Sequence, residues 1–225
     1  MTLLQLCQRL QLEVGMTTSP MASAIGQTGE AARFVAWIQS AWMDIQAEHQ
    51  DWQWMRKPAS FVTVAGQASY TLAQIGLTDF GMWAKDTFRN YPTAVGNIGE
   101  IFMTPIDYSA WYDSYQYGAL RFTQSRPLQF TVMPDKGIGL GPAPAAGYTI
   151  TADYYSAPSE MPADATIPAL PVQFHMAIVY RAMMSYGGVY AAQEAYQRGE
   201  TEFNKIMRRV AMDRLPQLML GGPLA

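Results

Sequence analysis

Apolar positions recur with a helical period at both ends of the chain and with a strand period in between. Leu3, Cys7, Leu10 and Val14 fall at alternating steps of four and three, and Thr2 stands where an N-cap belongs. A helix is therefore predicted over residues 2–14, closed by Gly15. After a long polar loop, Phe34, Val35, Ile38, Ala41, Trp42 and Ile45 form the apolar stripe of a second helix, Gly29 to Gln50, with Gln39, Asp44 and Glu48 off that stripe. The loop, residues 15–28, is long for a compact domain, so it should dock on something or move.

Beyond Asp51-Trp52-Gln53-Trp54 the period shortens. Phe61–Val64 and Ser69–Leu72 are β-prone runs joined by Ala65-Gly66-Gln67-Ala68, the pattern of a hairpin. Further short runs at 81–88, 128–133, 137–140 and 148–155 are separated by turn residues such as Met133-Pro134-Asp135 and Gly141-Pro142. One helix interrupts this antiparallel region: Thr104 is placed as its cap, Pro105 at its first position, Asp107 where a capping-box acid sits, and Gly118 at its end.

Pro158, Pro162, Pro168 and Pro171 mark an extended connector. A fourth helix, residues 172–186, is apolar nearly all round and should be enclosed by other helices; with Arg181 inside it, it is too short for a membrane span of ~20 apolar residues. Gly187-Gly188 permits a tight reversal into a fifth helix, residues 189–213. There Val189, Ala192, Tyr196, Gly199, Phe203, Ile206 and Val210 follow a heptad seam, with Glu194–Arg198 and Glu202–Lys205 as pairs on the wet side. The expected fold class is α+β: a helical bundle from the N-terminal helices and a C-terminal helix hairpin, residues 1–57 and 158–214, with a β-rich insertion, 58–157, that contains one short helix. Residues 215–225 carry no charge and are read as a docking arm through Leu215, Leu218, Met219, Leu220 and Leu224.

Composition narrows the functional classes. The 225 residues are 49% hydrophobic and 15% charged, against a usual ~25% charged, which excludes a disordered chain. A net charge of −3 supplies no basic footprint for wrapping duplex DNA or docking on an anionic membrane. Thirteen tyrosines, nine phenylalanines, six tryptophans and fifteen methionines beside so few charges suit a surface that meets other subunits. One cysteine excludes an internal disulfide, and two histidines as far apart as His49 and His175 make no zinc site by local spacing. The first residues lack a basic segment and read as a helix rather than a signal peptide, so the chain is expected to be made in a cytoplasm, with no membrane anchor.

Candidate chemistry is thin. Cys7 sits on an apolar stripe, and no Gly-x-Ser-x-Gly accompanies either histidine. Gly137–Pro142 has the wrong glycine spacing for a phosphate loop, and its proline blocks a following helix, so it reads as a strand and a turn. Asp107 and Asp113 are six apart and fall on different faces of a helix, a poor start for paired carboxylates. No catalytic, cofactor-binding or metal residue is assigned, and no cofactor is expected. The feature with most content is the aromatic face of Tyr108, Trp111, Tyr112 and Tyr115 at i, i+3, i+4 and i+7. It could pack on its own sheet, on a neighbouring subunit, on sugar rings or on bases; as a subunit interface, it predicts that Trp111→Ala weakens assembly more than it lowers the melting point.

The order of elements resembles the head-to-tail adaptor proteins of short-tailed bacteriophages, also called connector or tail tubular proteins. The similar words are Gly26-Gln27-Thr28-Gly29-Glu30 leading to Trp37-Ile38 and Asp44-Ile45-Gln46, then His49, Asp51-Trp52-Gln53-Trp54-Met55 and Phe61. Gln129–Pro134, Gly139–Pro144, Tyr154–Pro158, and Pro171 through His175 to Ile178–Ala182 continue the resemblance over nearly the whole chain. It implies a non-enzymatic virion protein, assembled in the bacterial host cytoplasm, that forms a ring of twelve copies at the head-tail junction. Its implied partners are itself, the portal protein, and tail nozzle or fibre proteins; genomic DNA passes through its channel at ejection without sequence-specific binding. Two other classes remain compatible with the residues, a virion-associated glycan hydrolase and a DNA-packaging accessory protein.

Overall fold

A computed structural model describes residues 1–16 and 19–214. Helices α1 (Leu3–Glu13) and α2 (Gly29–Glu48) come first, followed by strands β1 (Arg56–Val62) and β2 (Ser69–Tyr70) and the one-turn helix α3 (Leu72–Ile75). Next are β3 (Phe80–Pro92), β4 (Ile101–Phe102), β5 (Thr104–Pro105), α4 (Tyr108–Tyr115), β6 (Gln124–Ser125), β7 (Gln129–Val132), β8 (Ile138–Gly141), β9 (Ala143–Pro144) and β10 (Tyr148–Ser156). Helices α5 (Met176–Val189) and α6 (Gln193–Arg214) close the described chain. The fold is α+β. It divides into two compact units, one of residues 1–55 with the segment from 158 onward, the other of residues 56–157.

In the first unit α5 touches all three of the other long helices, and Ala177, Ile178, Val179, Ala182 and Met183 are buried around it. That is why its sequence is apolar on every side. The reversal between α5 and α6 is not at Gly187-Gly188, which stay helical; it falls at Tyr190–Ala192, with Ala191 left-handed at φ 53°. The two glycines have different duties. A Cβ at Gly187 would lie 2.8 Å from the Tyr196 backbone nitrogen, and one at Gly199 would lie 2.9 Å from the Tyr180 carbonyl, so α5 and α6 approach closely through these positions. Gly188 faces open space.

A matched pair of substitutions tests this. Gly188→Ala should raise stability by about 0.5–1 kcal/mol, because alanine loses less entropy on forming a helix. Gly199→Ala should lower it by about 1–3 kcal/mol, because the helices must separate. Urea midpoints moving in the same direction would contradict the close approach.

The expected heptad seam is partly realised. Gly199 and Val210 are buried, but Tyr196 is 37% exposed and Met207 takes a place in the core that the seven-residue pattern gave to no one. Of the predicted pairs, Lys205 meets Glu202 at 3.4 Å, while Arg198 bonds Glu13 of α1.

In the second unit, two four-stranded sheets run in the orders β1-β10-β3-β4 and β2-β8-β7-β5, and β6 and β9 form a separate pair. Their core includes Phe88 stacked on Phe130 at 3.9 Å, with Trp83, Ile138, Leu140 and Ile150 around them. The long pairings are antiparallel, and the two-residue pairings β5–β7 and β6–β9 are parallel. The expected hairpin over 61–72 does not form: β1 pairs with β10, and β2 with β8. Thr71 is instead the N-cap of α3, in a capping box where the Gln74 side chain accepts from the Thr71 backbone at 3.0 Å. The helix expected from Thr104 starts later, since Thr104 and Pro105 lie beside β7 and Asp107 is the N-cap.

Candidate assembly surfaces

Cys7 and His175 are committed to the fold, whereas Asp107 and Asp113 are exposed. The Cys7 thiol is buried and pushed up to about 12, first by burial and then by the Asp164 charge. His175 is buried, with its Nε2 2.7 Å from the Leu170 carbonyl and its Nδ1 2.6 Å from the Met1 amine. The carbonyl fixes Nε2 as the proton donor, which leaves Nδ1 to accept from the amine. His49 lies edge-on to Trp52, whose Nε1 donates to the Ile45 carbonyl at 2.9 Å. Among the described residues no cluster of three metal-ligating side chains occurs, and no helix is long and apolar enough to cross a membrane.

Burial holds His175 below the ordinary histidine value of 6.5, with the neighbouring amine adding to the shift and the Leu170 carbonyl opposing it. The unfolded chain therefore takes up this proton more readily than the folded one. The contribution of neutral His175 to stability is complete above pH 6.5 and is lost as the pH falls below it. His175→Gln should flatten the fall of the urea midpoint between about pH 7.5 and 5 relative to the parent. Parallel curves would show that His175 does not titrate on unfolding.

Helix α4 carries the aromatic face, and the structure divides it into two adjacent stripes. Trp111 is only 3% exposed; its Nε1 donates to the Leu140 carbonyl at 2.9 Å, and its ring lies where a Cβ on Gly139 would be, at 2.9 Å. Tyr115 covers Gly141 so closely that no Cβ fits, and its hydroxyl donates to Gln129 Oε1 at 2.7 Å. The glycines of the 137–142 run thus make room for two rings of the same unit. Tyr108 and Tyr112 point outward, at 38% and 39% exposed, with ring centres 5.8 Å apart. Tyr117 extends them, edge-on to Tyr112 at 5.3 Å, and Leu120 and Phe122 follow, both exposed. The 108, 112, 115 and 111 spacing marks one broad arc of about 100°, and periodicity could not say which half of it the sheet would cover. Tyr117, Leu120 and Phe122 lie past the helix and carried no periodic signal.

Four glutamines do structural work that the pattern of apolar residues does not reveal. Gln8 donates to the Met21 carbonyl at 2.8 Å and Gln11 accepts from the Met21 amide at 3.0 Å, so α1 holds the long loop itself, with Met21 and Ala24 buried. On α2, Gln39 makes the same two-way bond with Met161, at 2.7 and 3.0 Å, and Gln46 with Ser159, at 3.0 and 3.1 Å. The proline-rich connector is thereby laid along α2 by glutamines two turns apart. A glutamine at the edge of an apolar stripe is the only trace of this in the sequence.

The docking arm, Leu215, Leu218, Met219, Leu220 and Leu224, lies outside the described residues. No curated protein matches the chain. A family model described as SU10 adaptor protein matches residues 1–224.

Proposed function

The chain belongs to the SU10 adaptor protein family, and we propose that it forms a ring joining the portal to the tail of a bacteriophage and surrounding the DNA channel. Membership gives the coarser statement by itself: this is a bacteriophage adaptor, a structural component of the virion that contacts other virion proteins. The match over residues 1–224 is the observation that carries the proposal.

The finer reading is a ring of twelve copies, set between the portal and the tail nozzle or fibres, with genomic DNA passing through and no sequence-specific contact to it. Three features support it. The chain has a low charge and many aromatics, Cys7 and His175 are buried in the fold, and Tyr108 and Tyr112 stay exposed where Trp111 and Tyr115 are spent on the fold. The outward pair is the proposed subunit contact, supported from behind by the buried pair.

Light scattering on the protein alone and mixed with the cognate portal tests the ring. A mass of many copies is expected with the portal even if the free chain is monomeric, because the portal can template closure and binding shifts the equilibrium by mass action. A chain that stays monomeric in both samples contradicts the ring.

A further inference from the structure

We infer that Tyr108, Tyr112 and Tyr117 form a platform that takes residues 215–225 of a neighbouring copy. The inference rests on the ring reading and names the contact that links its subunits.

The platform is built and held rigid. Trp111 and Tyr115, hydrogen-bonded to Leu140 and Gln129, fix α4 on its sheet, so the outward rings are presented with little freedom left to lose on binding. Their centres are spaced by 5.8 and 5.3 Å, so the rings touch one another, tilted or edge-on, and make one continuous aromatic surface. Across residues 108–122 only Asp113 and Arg121 are charged.

The occupant is matched in kind. Residues 215–225, Leu-Pro-Gln-Leu-Met-Leu-Gly-Gly-Pro-Leu-Ala, are uncharged and contain Pro216 and Pro223 with five large apolar side chains. Prolines favour the extended polyproline conformation, which has no internal hydrogen bonds and docks into grooves lined by aromatic rings. An uncharged segment also lays no unpaired charge on an almost uncharged platform. At about 3.1 Å per residue such a segment reaches roughly 34 Å beyond the end of α6, enough to extend to another copy.

Each copy carries one platform and one such segment, at different places in the sequence. A contact between two different surfaces of identical chains is head-to-tail, and repeated with a rotation it closes a ring in which every segment and platform is used.

Photo-crosslinking tests the contact. Full-length protein carrying Tyr112→p-benzoylphenylalanine is mixed with isotopically heavy protein of the same kind, assembled with the cognate portal, sized, irradiated and digested. The expected products join position 112 to residues 215–225, one peptide light and the other heavy. Products joining the two only within single copies overturn the inference, as do assembled particles whose position 112 links elsewhere. If no particles larger than the portal form, the ring reading itself fails and takes this contact with it. In parallel, Tyr108→Ser with Tyr112→Ser should weaken assembly about tenfold or more while leaving the melting temperature unchanged; assembly of undiminished affinity overturns the platform.

Discussion

Trp111→Ala should destabilise the unit of residues 56–157 by about 3–5 kcal/mol, lowering its melting temperature by more than about 10 °C. The indole is 3% exposed, lies against the glycine backbone of β8, and donates to the Leu140 carbonyl. Truncation removes its burial, leaves a cavity between α4 and the sheet, and strips a buried carbonyl of its partner; the three losses act together. Tyr112→Ala, four-tenths exposed and bonded to no backbone group among those described, should change stability by less than about 0.5 kcal/mol. The sequence places both side chains on one aromatic face, which leaves packing on the chain's own sheet open and puts the tryptophan's loss in assembly only if the face meets a neighbour. The tryptophan's burial moves the expected effect to folding and leaves assembly to the tyrosines. Calorimetry and light scattering on the two variants separate the roles, and a Trp111→Ala protein that melts like the parent would show that α4 does not depend on its sheet.

Deleting residues 215–225 should abolish joining to the portal or to a neighbouring copy while leaving circular dichroism and melting largely intact. Five large apolar side chains in an uncharged segment would promote aggregation if left uncovered. Ordering the segment costs ~1–2 kcal/mol per residue, and apolar burial returns only ~25 cal/mol per Å², so it should bind well only on a surface already formed. A truncated chain that unfolds would place the segment in its own core, and one that assembles with full affinity would make it dispensable.

The long helices were legible because burial on one side imposes a 3.6 period that nothing else in the chain imitates. Leu3, Cys7 and Leu10, and Phe34, Ile38 and Ile45, are all buried where the stripe put them. Strand existence was legible too, but partners were not. Phe61 lies opposite Ile150, and a local turn at Ala65–Ala68 gave a hairpin that the distant pairing overrides. Turn chemistry misled again at Gly187-Gly188, where both residues stay helical and Gly187 answers to the close approach of a neighbouring helix rather than to a reversal. Thr71 and Gln74 spell a capping box that was hidden inside a β-prone run. The candidate surface was half legible: the aromatic residues of α4 were plain in the sequence, but which of them faced outward depended on glycines some thirty residues further on, Gly139 and Gly141, whose absent side chains admit Trp111 and Tyr115. Glutamine clamps such as Gln39 and Gln46 leave almost no pattern, since a polar residue at the edge of an apolar stripe ordinarily means only solvent.

The central claim, that this adaptor closes into a ring against the portal, is tested most directly by electron microscopy of the purified protein mixed with its cognate portal. The account predicts end-on class averages with a second, rotationally symmetric ring of this chain stacked on the portal and a continuous axial channel through both. Portal particles without added density, or with single copies bound at scattered positions and no closed ring, would contradict it.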